Sequence, residues 1–512
     1  MVIKLLSAVN IGLESRLVEI EVDVSRAFPC FNIVGLPDKA VEEAKERVRA
    51  AIENSGFKFP GQRRIVVNLA PADIKKEGPV YDLAIALGTL AADDQLPLEI
   101  LNQKAFYLGE LALDGSLRHT RGILPMVIFA QQSGVKEIYL PEENLAEAKL
   151  VSNLKIYPLQ SIKQLIGHLT GAKVIEPIVS QGIKIKPSEE FEIDMAFIKG
   201  QEFVKRGLEI AAAGGHNILM MGPPGSGKTF LARALPSILP MMTEEEILEV
   251  TKIYSIAGLL RENQPYIAER PFRAPHHTIS DIALIGGGQI PRPGEVTLAH
   301  RGVLFLDEFP EFHRDVLESL RQPLEDGRVT VSRARGHITY PAKFILVASQ
   351  NPCPCGYYGD SEKQCTCSQA QIIKYRKKIS GPLLDRIDLH VEVPRVKFEK
   401  LTEEAVAESS KEIRKRVQAA KDKQLNRFKK EKILTNAEMN TQQIKNFCRI
   451  DVQAQEFLRK AIDEYHLSVR AYHRILKVAR TIADLADQEN ISSDHVAEAI
   501  QYRTKFEEEK LF

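Results

Sequence analysis

Eight residues, Gly222-Pro223-Pro224-Gly225-Ser226-Gly227-Lys228-Thr229, constrain the fold of this chain more than any other stretch. They have the spacing G-x-x-x-x-G-K-[ST]. An apolar strand-like run, Ile218-Leu219-Met220-Met221, precedes them, and a helix-like run, Phe230 to Leu235, follows. That order predicts a strand, a phosphate-binding loop and a helix. The glycines let successive backbone N–H groups point into one concavity, and the helix N-terminus adds partial positive charge. In such a loop Lys228 reaches the β- and γ-phosphates of a nucleoside triphosphate, and the Thr229 hydroxyl holds Mg²⁺. A core of this type is α/β.

Two further strand ends carry suitable chemistry. Val303-Leu304-Phe305-Leu306 runs into Asp307-Glu308. Asp307 is placed to hold the Mg²⁺ shell and Glu308 to polarise the attacking water. Phe344 to Gln350 runs into Asn351, which can sense the γ-phosphate or orient the water. In Gly381-Pro382-Leu383-Leu384-Asp385-Arg386-Ile387-Asp388, Arg386 has two readings. It reaches a neighbouring subunit's γ-phosphate, or it forms a surface ion pair with Asp385 or Asp388.

The chain has 512 residues, enough for several domains, with 44% hydrophobic and 27% charged residues. A net charge of +1 gives no global basic field, so any nucleic-acid contact must come from local patches. No run is long enough to span a bilayer, and no signal-peptide layout opens the chain. Six cysteines are too few for a disulfide scaffold, so the expected setting is a reducing cytoplasm. Three blocks and a linker are expected: 1–170, of mixed strands and helices; 171–192, a linker with poor periodicity; 193–395, the ATP-binding block; and 396–512, helical. In the first block Val18 to Val24 alternates like a half-exposed strand. Val41, Ala44, Val48, Ala51 and Ile52 share one helical face that Gly56 ends.

Together, the glycine loop, the Asp-Glu strand, the polar strand end and the Leu-Leu-Asp-Arg segment resemble an AAA+ ATPase. Pro271 to Ser280, Gly286-Gly287-Gly288, and Pro293-Gly294-Glu295 running to Ala299-His300-Arg301-Gly302 narrow this. They resemble the magnesium-chelatase-like AAA+ proteins of the YifB/ComM type, over nearly the whole chain. The resemblance implies a hexameric ring that uses ATP to migrate DNA branches during natural transformation. It also implies roles for particular residues. Gln201, in Ile198-Lys199-Gly200-Gln201, abuts the adenine. Residues 280–300 form a pore-lining insert in the second helix. Val329 to Gly336 resembles the pre-sensor-1 hairpin, whose Arg333 and Arg335 either contact DNA phosphates or form a solvated tip. Arg470, in Ser468-Val469-Arg470-Ala471, is either the second sensor, acting on a neighbour's nucleotide, or a helix-surface arginine. His276 and His277 are expected to be structural.

The first block resembles the Lon-protease-like domain, with a ribosomal S5 domain 2-like fold. Ala72 to Pro79 matches the run leading to that family's catalytic serine, yet Val80 stands there, and Leu124 stands at or near the lysine position. Neither side chain supplies a nucleophile or a base, so a structural or binding module is expected. Cys353-Pro354-Cys355 and Cys365-Thr366-Cys367 form a candidate Cys₄ zinc site. The alternative is four reduced, unliganded thiols. The basic run Lys421 to Lys432 reads as a solvated helix face, with DNA or subunit contact as the lesser option.

The expected architecture is thus a multidomain α/β protein: a Lon-like N-terminal domain, an AAA+ core and a C-terminal helical lid. The expected activity is that of an oligomeric ATP- and Mg²⁺-dependent motor on branched or single-stranded DNA. The competing reading is a chelatase-type motor that remodels a protein partner.

Overall fold

The computed structural model describes residues 2–180, 191–260, 264–288, 292–333, 336–360, 362–396, 407–465 and 467–503. It forms two compact units. One comprises residues 1–186 and 244–267, the other 187–243 and 268–512.

The first unit is built on an eight-stranded sheet. Its order is Ile178–Val179, Lys155–Leu159, Glu137–Pro141, Phe106–Tyr107, Val2–Ile11, Glu14–Ser25, Arg64–Ala70 and Cys30–Val34. The alternation at Val18, Ile20, Val22 and Val24 is that of a strand with one buried face, and all four are buried. The Leu83 to Ala92 run becomes helix Asp82–Ala92, buried along its whole length. It lies so close to the sheet that a Cβ on Gly88 would come within 2.7 Å of Val22 Cγ2. At its N-terminus Asp82 accepts from Arg47 Nε at 2.7 Å. Burial pushes the Asp82 carboxyl up to about 6, even though Arg47 opposes the shift. The second helical face is also buried, divided between Lys39–Glu42 and Ala44–Asn54, and Gly56 follows with φ +88°.

Two features depart from a simple reading of sequence order. The poorly periodic stretch after Gly171 adds Ile178–Val179 to the sheet edge, opposite Ile156 and Lys155. Helix Glu244–Ala257 lies between parts of the second unit in sequence but belongs to the first. There the Gly122 N–H donates to the Ser255 carbonyl at 3.1 Å, and the Ser255 hydroxyl donates to Glu147 at 2.8 Å.

The second unit contains a five-stranded parallel sheet, ordered Phe272–Arg273, Val303–Leu306, Ile345–Gln350, Ile218–Met221 and Leu389–Glu392. Parallel strands covered on both faces need continuous apolar runs, and the central three have them. Ser410–Arg427, Thr441–Phe447, Val452–Tyr465, Val469–Leu485 and Ser493–Gln501 supply the helical C-terminal part. Their apolar faces share one core with the sheet. Among the described residues no helix is long and apolar enough to cross a membrane.

Candidate active site

In an open parallel sheet, ligands bind beyond the carboxyl ends of the strands. Three adjacent strands here end in the residues of interest. Ile218–Met221 leads into the glycine loop, Val303–Leu306 into Asp307, and Ile345–Gln350 into Asn351. Register alone therefore brings these groups together.

The loop's glycines are needed for two different reasons. Gly225 and Gly227 have φ +77° and +90°, and a Cβ at either would touch nothing within 4 Å. Backbone conformation is the constraint there. At Gly222 the constraint is space, since a Cβ would lie 2.2 Å from the Val393 carbonyl oxygen. Gln201 braces the loop by donating from Nε2 to the Ser226 carbonyl at 2.7 Å and the Pro394 carbonyl at 3.0 Å.

Lys228 is buried. Its Nζ donates to the Gly222 carbonyl at 2.7 Å, the Pro223 carbonyl at 2.9 Å and Asn351 Oδ1 at 3.2 Å. Burial lowers its pKa, while nearby Asp307 favours the charged form. The exposed Thr229 hydroxyl donates to Asp307 Oδ2 at 2.7 Å. Ser349 donates to the other oxygen of Asp307. An ammonium held by carbonyls rather than a carboxylate, beside a hydroxyl–carboxylate pair, fits a Mg²⁺–triphosphate. Mg²⁺ takes few protein oxygens and uses the substrate's phosphates for the rest. Bound there, the ion would neutralise charge on the phosphate oxygens. Thr229 and Asp307 are the groups that would hold it.

Glu308 is exposed, with φ +53°. Its carboxylate lies 3.3 Å from His277 Nδ1. No local pattern places His277 against the water-polarising candidate. His276 Nδ1 lies 3.0 Å from Thr278 Oγ1. Ser349 was also unassigned, although its position in the strand ending at Asn351 would have pointed to it.

The arginine candidates differ in setting. Arg386 is buried and pairs with Glu325, not with Asp385 or Asp388 as one reading of the sequence held. Asp388 is taken by Arg474, and its other oxygen lies 3.6 Å from His216. Arg470 is exposed in the first turn of Val469–Leu485, one turn before Arg474. Arg333 ends strand Arg328–Arg333, which pairs with Gly336–Pro341 in a hairpin, and Arg335 lies outside the described residues. The basic run is not simply a solvated face. Lys421 is buried and donates to the Leu434 carbonyl, Lys423 to that of Asp484, and Arg427 pairs with the Asp484 carboxylate. These cations tie helix Ser410–Arg427 to the Leu434 loop and to the end of helix Val469–Leu485.

Val80 and Leu124 are both buried in the core of the first unit. The four cysteines of 353–367 converge, with all four sulfurs within 4.8 Å of one another.

Comparison with known proteins adds three family matches. Residues 194–401 match the model described as magnesium chelatase, subunit ChlI; residues 20–144 match subunit ChlI of Mg-chelatase; and residues 407–503 match the ChlI C-terminal model. Competence protein ComM of Haemophilus influenzae is 45% identical over 501 residues, 97% of this chain and 96% of that protein. The chain belongs to the ComM/YifB-type magnesium-chelatase-like family. YifB of Salmonella typhimurium is 43% identical over 495 residues, 96% of this chain and 95% of the relative. The magnesium-chelatase 38 kDa subunit of Cereibacter sphaeroides is 28% identical over 171 residues, 30% of this chain and 51% of that subunit. As a ComM-type AAA+ ATPase, the chain has its phosphate loop and Asp307-Glu308 strand within the matched 194–401 region. Other parts of the family signature act as fasteners. Arg273 makes a two-pronged pair with Glu295 at 2.6 and 2.7 Å, and His300 Nδ1 accepts from the Lys343 N–H at 3.1 Å.

Proposed function

We propose that this chain forms a ring-shaped ATP-driven DNA translocase that moves branched DNA junctions, acting in recombination during natural transformation. Its hydrolytic centre comprises Lys228, Thr229, Asp307, Glu308 and Asn351, with Gly222, Pro223, Pro224, Gly225, Ser226 and Gly227 cradling the phosphates. Gln201 borders the nucleotide. The observation that carries the hydrolase reading is the convergence of Lys228, Thr229, Asp307 and Asn351 within hydrogen-bonding distance. Lys228 neutralises the transferred phosphoryl group, Thr229 and Asp307 fix the metal, and Asn351 orients Lys228. Glu308 accepts a proton from the attacking water. Arg386 and Arg470 act on the nucleotide of a neighbouring subunit in a ring, which we take to be a hexamer; Arg386 would exchange Glu325 for phosphate on assembly.

The DNA reading is supported by the 45% identity to a competence protein and by the Arg328–Pro341 hairpin, whose Arg333 and Arg335 we assign to phosphate contact. The first unit serves as a Lon-like binding module without protease chemistry. The C-terminal helices serve as a lid, the four cysteines as a structural zinc site, and the setting is the cytoplasm.

The test is ATP-dependent branch migration on a labelled three- or four-strand junction. The wild type is expected to move the junction and Lys228→Ala to leave it in place. An ATPase that is neither stimulated by DNA nor active on junctions would instead favour the chelatase-type motor with a protein client.

A further inference from the structure

The four-cysteine loop is tied to the phosphate loop. Cys353 Sγ lies 3.4 Å from Cys355 Sγ and 3.7 Å from Cys365 Sγ, and Cys355 Sγ lies 3.6 Å from Cys365 Sγ. Four thiolates at about 2.3 Å around a tetrahedral zinc stand about 3.8 Å apart, close to these separations. Disulfide sulfurs would stand at about 2.0 Å. Backbone N–H groups also point at the sulfurs. Tyr358 N–H donates to Cys353 at 3.3 Å, Cys355 N–H to Cys367 at 3.4 Å, and Cys367 N–H to Cys365 at 3.4 Å. Outer donors of this kind stabilise metal-bound thiolates.

Three links join this cluster to the groups around the phosphates. Gly356, held at φ +86° inside the loop, abuts Pro224. A Cβ there would lie 2.5 Å from Pro224 Cδ and 2.6 Å from Cγ. Cys353 follows Asn351 by two residues, and Asn351 Oδ1 accepts from Lys228. Arg395, just beyond the last strand of the sheet, pairs with Asp360 and Glu362 at 3.0 Å each and lies over the Tyr357 ring.

We infer that Cys353, Cys355, Cys365 and Cys367 bind one Zn²⁺, and that the metal-held loop is a positioning element for hydrolysis, fixing Pro224 and Asn351 in place. This inference rests on the hydrolase reading above. The metal touches no reacting atom; it acts through loop geometry, so its loss lowers turnover more than nucleotide affinity.

The experiment uses the full chain. Metal content by plasma mass spectrometry is expected to give about one zinc per chain. Exchange for Co²⁺ is expected to give the thiolate-to-cobalt charge-transfer bands of a four-sulfur site. Stripping zinc with a mercurial and chelator is expected to lower kcat for ATP about 10–100-fold, with KM changed far less, and zinc re-addition to restore it. Gly356→Ala leaves all four thiols in place and covers the case in which a cysteine variant fails to fold. It is expected to keep its zinc and still lose kcat. Absence of zinc and of the cobalt bands overturns the metal site. Full turnover in zinc-free protein and in zinc-loaded Gly356→Ala overturns the positioning role while leaving the site. A zinc-loaded wild type that hydrolyses no ATP overturns the hydrolase reading, and the positioning role with it.

Discussion

Glu308→Gln is expected to retain nucleotide and lose hydrolysis by about 10²–10⁴-fold, the range for removal of a general base. The reason is a division of labour between adjacent carboxylates. Both oxygens of Asp307 are engaged, one by Thr229 and the other by Ser349, which suits a metal-shell residue. Glu308 is exposed and has a left-handed backbone, and among the described residues it pairs only with His277 Nδ1, at 3.3 Å. The amide of glutamine keeps shape and hydrogen bonding but cannot take a proton. Lys228→Ala should differ, since it removes the cation that the phosphates meet and so weakens binding as well as turnover. Phosphate release and equilibrium binding of a fluorescent nucleotide separate the two variants. Unchanged turnover in Glu308→Gln would remove Glu308 from the reaction.

The largest expected stability loss lies away from the phosphates. Arg474→Met is expected to cost about 3–5 kcal/mol, the range for breaking a buried ion pair from one side. It would strand Asp388, which is buried and which also accepts from the Asn217 N–H at 3.0 Å. Burial alone would raise the Asp388 pKa. Arg474, with His216 and Lys477, outweighs that and holds the carboxyl far below the usual range. A carboxyl lowered on folding contributes stability that is complete above its unfolded pKa of about 3.9 and erodes as pH falls below it. Acid unfolding of the wild type should therefore steepen below about pH 4, and Asp388→Asn should flatten that slope. Denaturant titrations from pH 2 upward measure it. The double variant Asp388→Ala/Arg474→Met is expected to lose less than the sum of the single changes, because neither charge is then left alone. Strict additivity would show that the pair is not coupled.

Much of the candidate site's geometry was legible because it depends on local rules. A glycine-rich loop between an apolar run and a helix, and apolar strands ending in Asp-Glu or Asn, are one-dimensional patterns. Parallel pairing then sets their ends side by side. The alternation of Val18 to Val24 and the helical face of Val41 to Ile52 were legible for the same reason. What escaped was pairing across long sequence separations. Nothing local matches Arg386 to Glu325 or Arg474 to Asp388, and nothing marks Lys421, Lys423 and Arg427 as donors to distant carbonyls and a carboxylate. Nor does any local pattern mark helix Glu244–Ala257 as part of the first unit rather than the second.

That helix has a consequence for how the chain is made. The first unit is complete only when residues 244–267 have joined residues 1–186. A ribosome adding about 5–20 residues per second needs roughly 4–16 s to go from residue 186 to residue 267. During that interval the nascent N-terminal part lacks a segment of its own core, while the phosphate loop and its helix are already emerging. Cutting the chain after residue 186 makes that transient permanent, since the released piece would never acquire the helix that Gly122 and Glu147 hold in place.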